Sequence, residues 1–178
     1  MSKWIILSTL FSTFFSVLIP SAQAVESNLK ISGKVVAAAC MVETQLMSGL
    51  QVDLGNIDNT KMQFPGNAAD WQHFNLNLIN CPAGTTSSTV TLSGQTEIDN
   101  TRLFSNTEPE ITAAKFVSVQ IADANNFDNI LSNTDTMTVD IDNDNKAVFP
   151  LVARLYTSTG GVRAGKVSST VTVNFTYR

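Results

Sequence analysis

Two cysteines, one histidine and a row of alternate aspartates are the side chains of this 178-residue sequence with the best claim to chemistry. Cys40 and Cys81 are too far apart for a CxxC redox pair, and with one histidine they supply fewer ligands than a structural zinc needs. His73 is the only histidine available as a general base. It sits in Trp71-Gln72-His73-Phe74-Asn75 at the polar phase of an alternating segment, and no GxSxG nucleophile elbow accompanies it. Asp140, Asp142 and Asp144 are spaced like the start of a calcium loop. The sixth position is Asn145 where glycine is needed and the twelfth is Leu151 where a bidentate glutamate is needed, so a solvated acidic hairpin is the better reading. Asn174-Phe175-Thr176 matches a glycosylation acceptor but lies inside a strand-like pattern. No catalytic, metal or cofactor site is expected, nor a small-molecule substrate.

Composition narrows the class. The chain is 43% hydrophobic and 15% charged, with a formal net charge of −4. That suits a globular domain with a core and excludes a disordered tail, a collagen-like repeat or a polytopic membrane protein. Eleven Lys and Arg against fifteen Asp and Glu, with no basic block, argue against nucleic acid as a partner. Residues 1–24 have the grammar of a secretory signal: Lys3, an apolar run from Trp4 to Ile19, then Pro20 and Ser21-Ala22-Gln23-Ala24, with alanine at −3 and −1 of a cut after Ala24. The expected mature chain runs from Val25 to Arg178 and, having lost only Lys3, carries a net charge of −5. Export to an oxidising compartment makes a Cys40–Cys81 disulfide the expected state. In the chain-entropy picture, closing that loop stabilises the fold by about 4 kcal/mol.

The elements that position these residues read as strands. Apolar residues alternate with period two at Phe74, Leu76 and Leu78; Val90 and Leu92; Val117, Val119 and Ile121; Met137, Val139 and Ile141; Phe149, Leu151, Ala153 and Leu155; and Val171, Val173, Phe175 and Tyr177. Turn clusters are expected at 125–129, 142–145 and 158–161. Helical spacing is sustained nowhere, so an all-β sandwich is predicted. Both ends of the mature chain are unusual. Thr170 to Arg178 is a strand with nothing after it, and residues 25–35 alternate through Leu29, Ile31, Gly33 and Val35 directly after the cleavage site.

Three stretches carry a specific resemblance: Ile31-Ser32-Gly33-Lys34-Val35-Val36-Ala37-Ala38-Ala39-Cys40, Val52-Asp53-Leu54-Gly55, and Leu78-Ile79-Asn80-Cys81-Pro82-Ala83-Gly84-Thr85. With Gly165 fourteenth from the end and Tyr177 penultimate, the mature chain resembles a chaperone–usher pilin, most similar to the minor adaptor subunits of type 1 pilus tips. The resemblance implies an incomplete immunoglobulin-like sandwich lacking its final strand, completed by a donor strand from a chaperone or a neighbouring subunit. It implies three segments: a signal peptide over 1–24, an N-terminal donor extension over 25–36 and a pilin domain over 37–178.

On this sequence the donor face would be Leu29, Ile31, Gly33 and Val35. The acceptor groove and chaperone contact would be Val171, Val173, Phe175, Tyr177 and the terminal carboxylate of Arg178. Gly33 would face a crowded position that admits no side chain. Ser27 departs from the pattern, because related extensions commonly carry an apolar residue there. The implied partners are a periplasmic pilus chaperone, an outer-membrane usher and neighbouring subunits joined by donor-strand exchange, through β-augmentation. The implied location is the cell surface, in a fimbria, reached through the periplasm.

The expected function is thus a structural subunit of a fimbria supporting cell adhesion, a minor tip or adaptor subunit, and not an enzyme. Two alternatives stay open: a major rod pilin of the same pathway, and a complete secreted β-sandwich that binds ligand through Trp71, Phe104 and Phe127. A tip adhesin would carry a further receptor-binding domain, for which about 150 residues leave no room.

Overall fold

In the computed structural model, the described residues are Ser32, Gly33 and Ala39–Arg178. The expected signal peptide over 1–24 and most of the expected donor extension over 25–36 therefore lie outside the described residues. The elements in chain order are β1 (Met41–Val42), α1 (Thr44–Met47), a 3-10 turn (Asn59–Met62), β2 (Gln72–Ile79), β3 (Ser87–Gly94), β4 (Ser118–Asp123), β5 (Asn126–Ile130), β6 (Thr136–Asp140), β7 (Ala147–Tyr156) and β8 (Val171–Tyr177). They form two antiparallel sheets, one of five strands in the order β1-β2-β7-β4-β5 and one of three in the order β6-β3-β8.

Alternation dictates which faces meet. Leu76 and Leu78 of β2 and Phe149, Leu151, Ala153 and Leu155 of β7 point inward from the larger sheet. Val90 and Leu92 of β3 and Met137 of β6 meet them from the smaller one, and all are buried. The registers Phe74↔Leu151 and Leu76↔Phe149 on one sheet, and Val90↔Phe175 on the other, place apolar residues opposite apolar residues. A one-residue slip would turn every one of them to solvent.

The strand directions define two poles. At the disulfide pole, Cys40 and Cys81 are bonded and buried, β1 pairs Met41 with Ile79, and Arg178 hydrogen-bonds to Ser87. The distal pole is built from residues 59–71, 95–117 and 157–170, where β2, β4 and β8 begin and β3 and β7 end. There the 3-10 turn is capped by Asp58, whose carboxylate accepts from Thr60 N and Oγ1 at 2.9 Å, and Met62 fills the core. Those two hydrogen bonds hold the Asp58 carboxyl below its usual range.

Three sequence expectations need correction. Residues 125–129, expected as a turn, include most of β5, which carries no buried alternation and exists because its backbone pairs with β4 around a bulge at Ala122/Asp123. Ile141, expected to continue the strand of Met137 and Val139, lies just past the end of β6 at Asp140. Val117, expected in a strand, precedes β4, although its side chain is buried as anticipated.

Candidate functional site: an open edge beside β8

The last strand lies at the edge of its sheet. β3 pairs with it on one side, from Ser88↔Tyr177 to Gly94↔Val171, and among the described residues no strand covers the other side. Val171, Val173, Phe175 and Tyr177 all face inward as the alternation requires, yet each is only half-buried, while Thr172, Asn174 and Thr176 are exposed. Partial burial still suffices to push the Tyr177 phenol pKa up. Phe175 packs on Phe149 with ring centroids 5.6 Å apart.

Beside Val171 and Val173, and not reaching Phe175 or Tyr177, runs a groove of about 990 Å³. Its floor is core: Leu76, Leu92, Ile121, Leu151 and Leu155 line it directly. Val167, Val171 and Val173 form one wall, and Leu46, Leu50, Val52, Leu54 and Ile57 form the other. The second wall was missed as a site by sequence reasoning. Its signal was available in the alternation of Leu50, Val52 and Leu54, all half-buried between exposed neighbours, in a segment that forms no strand.

The distal end of the groove is set by Gly165 and Asn106. A Cβ on Gly165 would run into the backbone of Ala113 and Ala114, so only glycine lets residues 163–168 lie flat on that segment. The contact is closed by Ala114 N→Lys166 O and Lys166 N→Thr112 O, both 2.8 Å. The Asn106 amide locks the same junction: its Nδ2 donates to Ala114 O and Lys166 O, and its Oδ1 accepts from Ser168 N and Glu108 N. One side chain thus joins four backbone positions where β8 is about to begin.

Other sequence candidates are placed elsewhere. Arg178 is exposed, and its carbonyl oxygen accepts from Thr86 N and Ser87 N at 2.6 and 3.2 Å. Gly33 is exposed, and Leu29, Ile31 and Val35 lie outside the described residues. His73 is exposed on the outer face of the five-stranded sheet. Asp142 serves its own hairpin, with Oδ1 accepting from Asp144 N and Lys146 N. Of the three aromatics considered for ligand stacking, Phe104 is fully buried in the core. Trp71 has the Arg154 guanidinium 4.0 Å from its ring centroid and Phe127 at 5.6 Å. Arg154 is further held by Gln120 Oε1 at 2.8 Å, and burial draws its pKa down.

An antiparallel two-sheet sandwich whose core is exposed along its last strand is an immunoglobulin-like fold missing one strand, the architecture of pilus subunits. The chain belongs to the fimbrial protein family, which matches residues 29–178. It is 32% identical over 170 residues to the uncharacterized fimbrial-like protein YdeR of Escherichia coli K12, covering 95% of each chain. It is 28% identical to protein FimG of the same strain over 98% of this chain and 99% of that one. Among solved structures it resembles the P pilus adaptor subunit PapF, with a TM-score of 0.54 at 14% identity over 82% of this chain and all of that one. It is a structural subunit of an exported surface fimbria, associates with neighbouring subunits and is not an enzyme.

Proposed function

We propose that this subunit is assembled by donor-strand exchange. The groove beside β8 accepts a strand, first from a periplasmic chaperone and then from a neighbouring subunit at an outer-membrane usher, and residues 25–36 are donated in turn after cleavage behind Ala24. The observation that carries this reading is the half-buried apolar row Val171, Val173, Phe175 and Tyr177 on an edge strand, whose first two members line a groove floored by core side chains. An added strand would satisfy the free backbone edge and cover that row. The donor face is Leu29, Ile31, Gly33 and Val35, and Arg178 presents the terminal carboxylate to basic groups of the chaperone. An adaptor position in the fimbria is supported by the likeness to a P pilus adaptor over 82% of this chain.

The experiment compares denaturant unfolding of oxidised Ala37–Arg178 with the same chain carrying residues 25–36 after Arg178 on a flexible linker. Burying Leu29, Ile31 and Val35 contributes roughly 1.5–3 kcal/mol each before ordering costs, so the midpoint should rise markedly. Gly33→Leu in the appended strand should abolish the gain. Equal midpoints for both chains would mean the sandwich is complete without a donor.

A further inference from the structure

The outer face of the five-stranded sheet carries a cation that the fold does not neutralise. Arg154 lies on β7, an interior strand paired with β2 on one side and β4 on the other. Leu151, Ala153 and Leu155 of that strand are buried toward the core, so Arg154 and Tyr156 project from the opposite face. The guanidinium lies 4.0 Å from the ring centroid of Trp71 and 5.7 Å from that of Tyr156, and its Nε donates to Gln120 Oε1 at 2.8 Å. Two rings and a cross-strand amide thus fix its plane. The ion pair between Lys115 and Glu110 is the only one among the described residues, so no carboxylate there sits at ion-pair distance from Arg154.

The outer edge of that guanidinium is left over. Among the described residues, Arg154 Nη1 and Nη2 meet no protein acceptor, Trp71 Nε1 and the Tyr156 hydroxyl have no partner either, and none of these atoms is sealed from solvent. A guanidinium held in one plane has already lost the freedom that binding an anion would otherwise cost. Beside it Phe127 is 43% exposed, with its ring centroid 5.6 Å from that of Trp71 and 6.1 Å from that of His73.

We propose that this face binds a carboxylate-bearing sugar, its carboxylate accepting from the terminal nitrogens of Arg154 and its pyranose ring resting on Phe127. The planar fork of an arginine matches the two oxygens of a carboxylate. The C–H bonds on one side of a pyranose suit the negative face of an aromatic ring, and the free donors of Trp71 and Tyr156 suit sugar oxygens. An acidic peptide fits less well, because β7 offers no free backbone edge for strand addition and recognition falls to side chains alone. None of these residues lines the groove beside β8, so the proposal stands apart from the donor-strand reading.

Trp71 is the only tryptophan beyond Trp4, so its emission reports on this site in the oxidised chain from Val25 to Arg178. At constant ionic strength, the methyl glycosides of N-acetylneuraminic acid and glucuronic acid should shift that emission saturably, while lactose and sodium acetate at the same concentrations should not. Arg154→Lys keeps the charge and the stem but loses the fork, and should raise the midpoint on the order of tenfold. Phe127→Ala removes an exposed ring and leaves the arginine in its frame, and should raise the midpoint about threefold. Equal midpoints for acetate and the acidic sugars would reduce the site to a bare anion contact and overturn the proposal. A shift by lactose as strong as by the acidic sugars would overturn it too, as would tighter binding of a glutamate-rich peptide, which would assign the face to a protein partner. The absence of any saturable shift, or an unchanged midpoint in either variant, has the same consequence.

Discussion

The outer face of the five-stranded sheet and the inner face of β8 are made of similar residues and end in opposite states. On the outer face, Val152 and Ala122 are fully buried although they point away from the core. The bulge in β4–β5 carries Phe127 back over the sheet to Trp71 and His73, and Arg154 stacks between Trp71 and Tyr156. The chain covers that face with its own side chains. On β8 an equally apolar row stays half-exposed beside a groove. Amphipathic alternation specifies which residues will be buried, and what buries them is a matter of topology, because β8 has a free edge and no further strand among the described residues.

This contrast can be broken in graded ways. The largest effect is expected from Gly165→Val, which drives a side chain into the Ala113–Ala114 backbone and displaces the segment leading into β8. A cost of about 1–3 kcal/mol is expected in denaturant unfolding. Hydrogen exchange should rise first at residues 163–170 and leave β2 and β7 protected, and a uniform rise would show that Gly165 does not act locally on the groove. Trp71→Ala attacks the other side of the comparison. Loss of the Arg154 and Phe127 contacts should cost about 1–2 kcal/mol while leaving the gain from an appended donor strand unchanged. A reduced gain would mean the two faces are coupled through the sheet.

The smallest effect concerns Asp135, at the turn entering β6. Hydrogen bonds from Ser132 Oγ at 2.6 Å and Ser132 N at 2.9 Å hold its carboxyl below the usual range. A lowered folded-state pKa contributes stability above the unfolded value near 3.9, and this is lost as pH falls through the folded value. The group is solvent-exposed, so less than about 1 kcal/mol is at stake. The urea-midpoint advantage of the native chain over Asp135→Asn should be present at pH 6 and shrink below about pH 4. An advantage that persists at pH 2.5 would assign it to something other than the carboxylate.

Much of the fold was legible because period-two alternation survives wherever a strand has one wet face. Phe74 to Leu78, Val90 and Leu92, Met137 and Val139, Phe149 to Leu155 and Val171 to Tyr177 all lie in strands. β5 was not legible, because its pairing is made by backbone groups and its side chains are exposed apart from a half-buried Ile130. One wall of the groove was legible in the final strand. The other, from Leu46 to Ile57, approaches β8 only after the two sheets close on each other, and the Asn106 clamp joins positions up to 62 residues apart.

The sequence by itself determined the sandwich class, the single possible disulfide and the apolar face of the last strand, since each depends on residue type and local spacing. The tertiary structure alone decided that this face lies over an open groove and that Gly165 must lack a side chain. Those properties are relations between segments distant in the chain, set by which edges the strands occupy and which backbones approach closely.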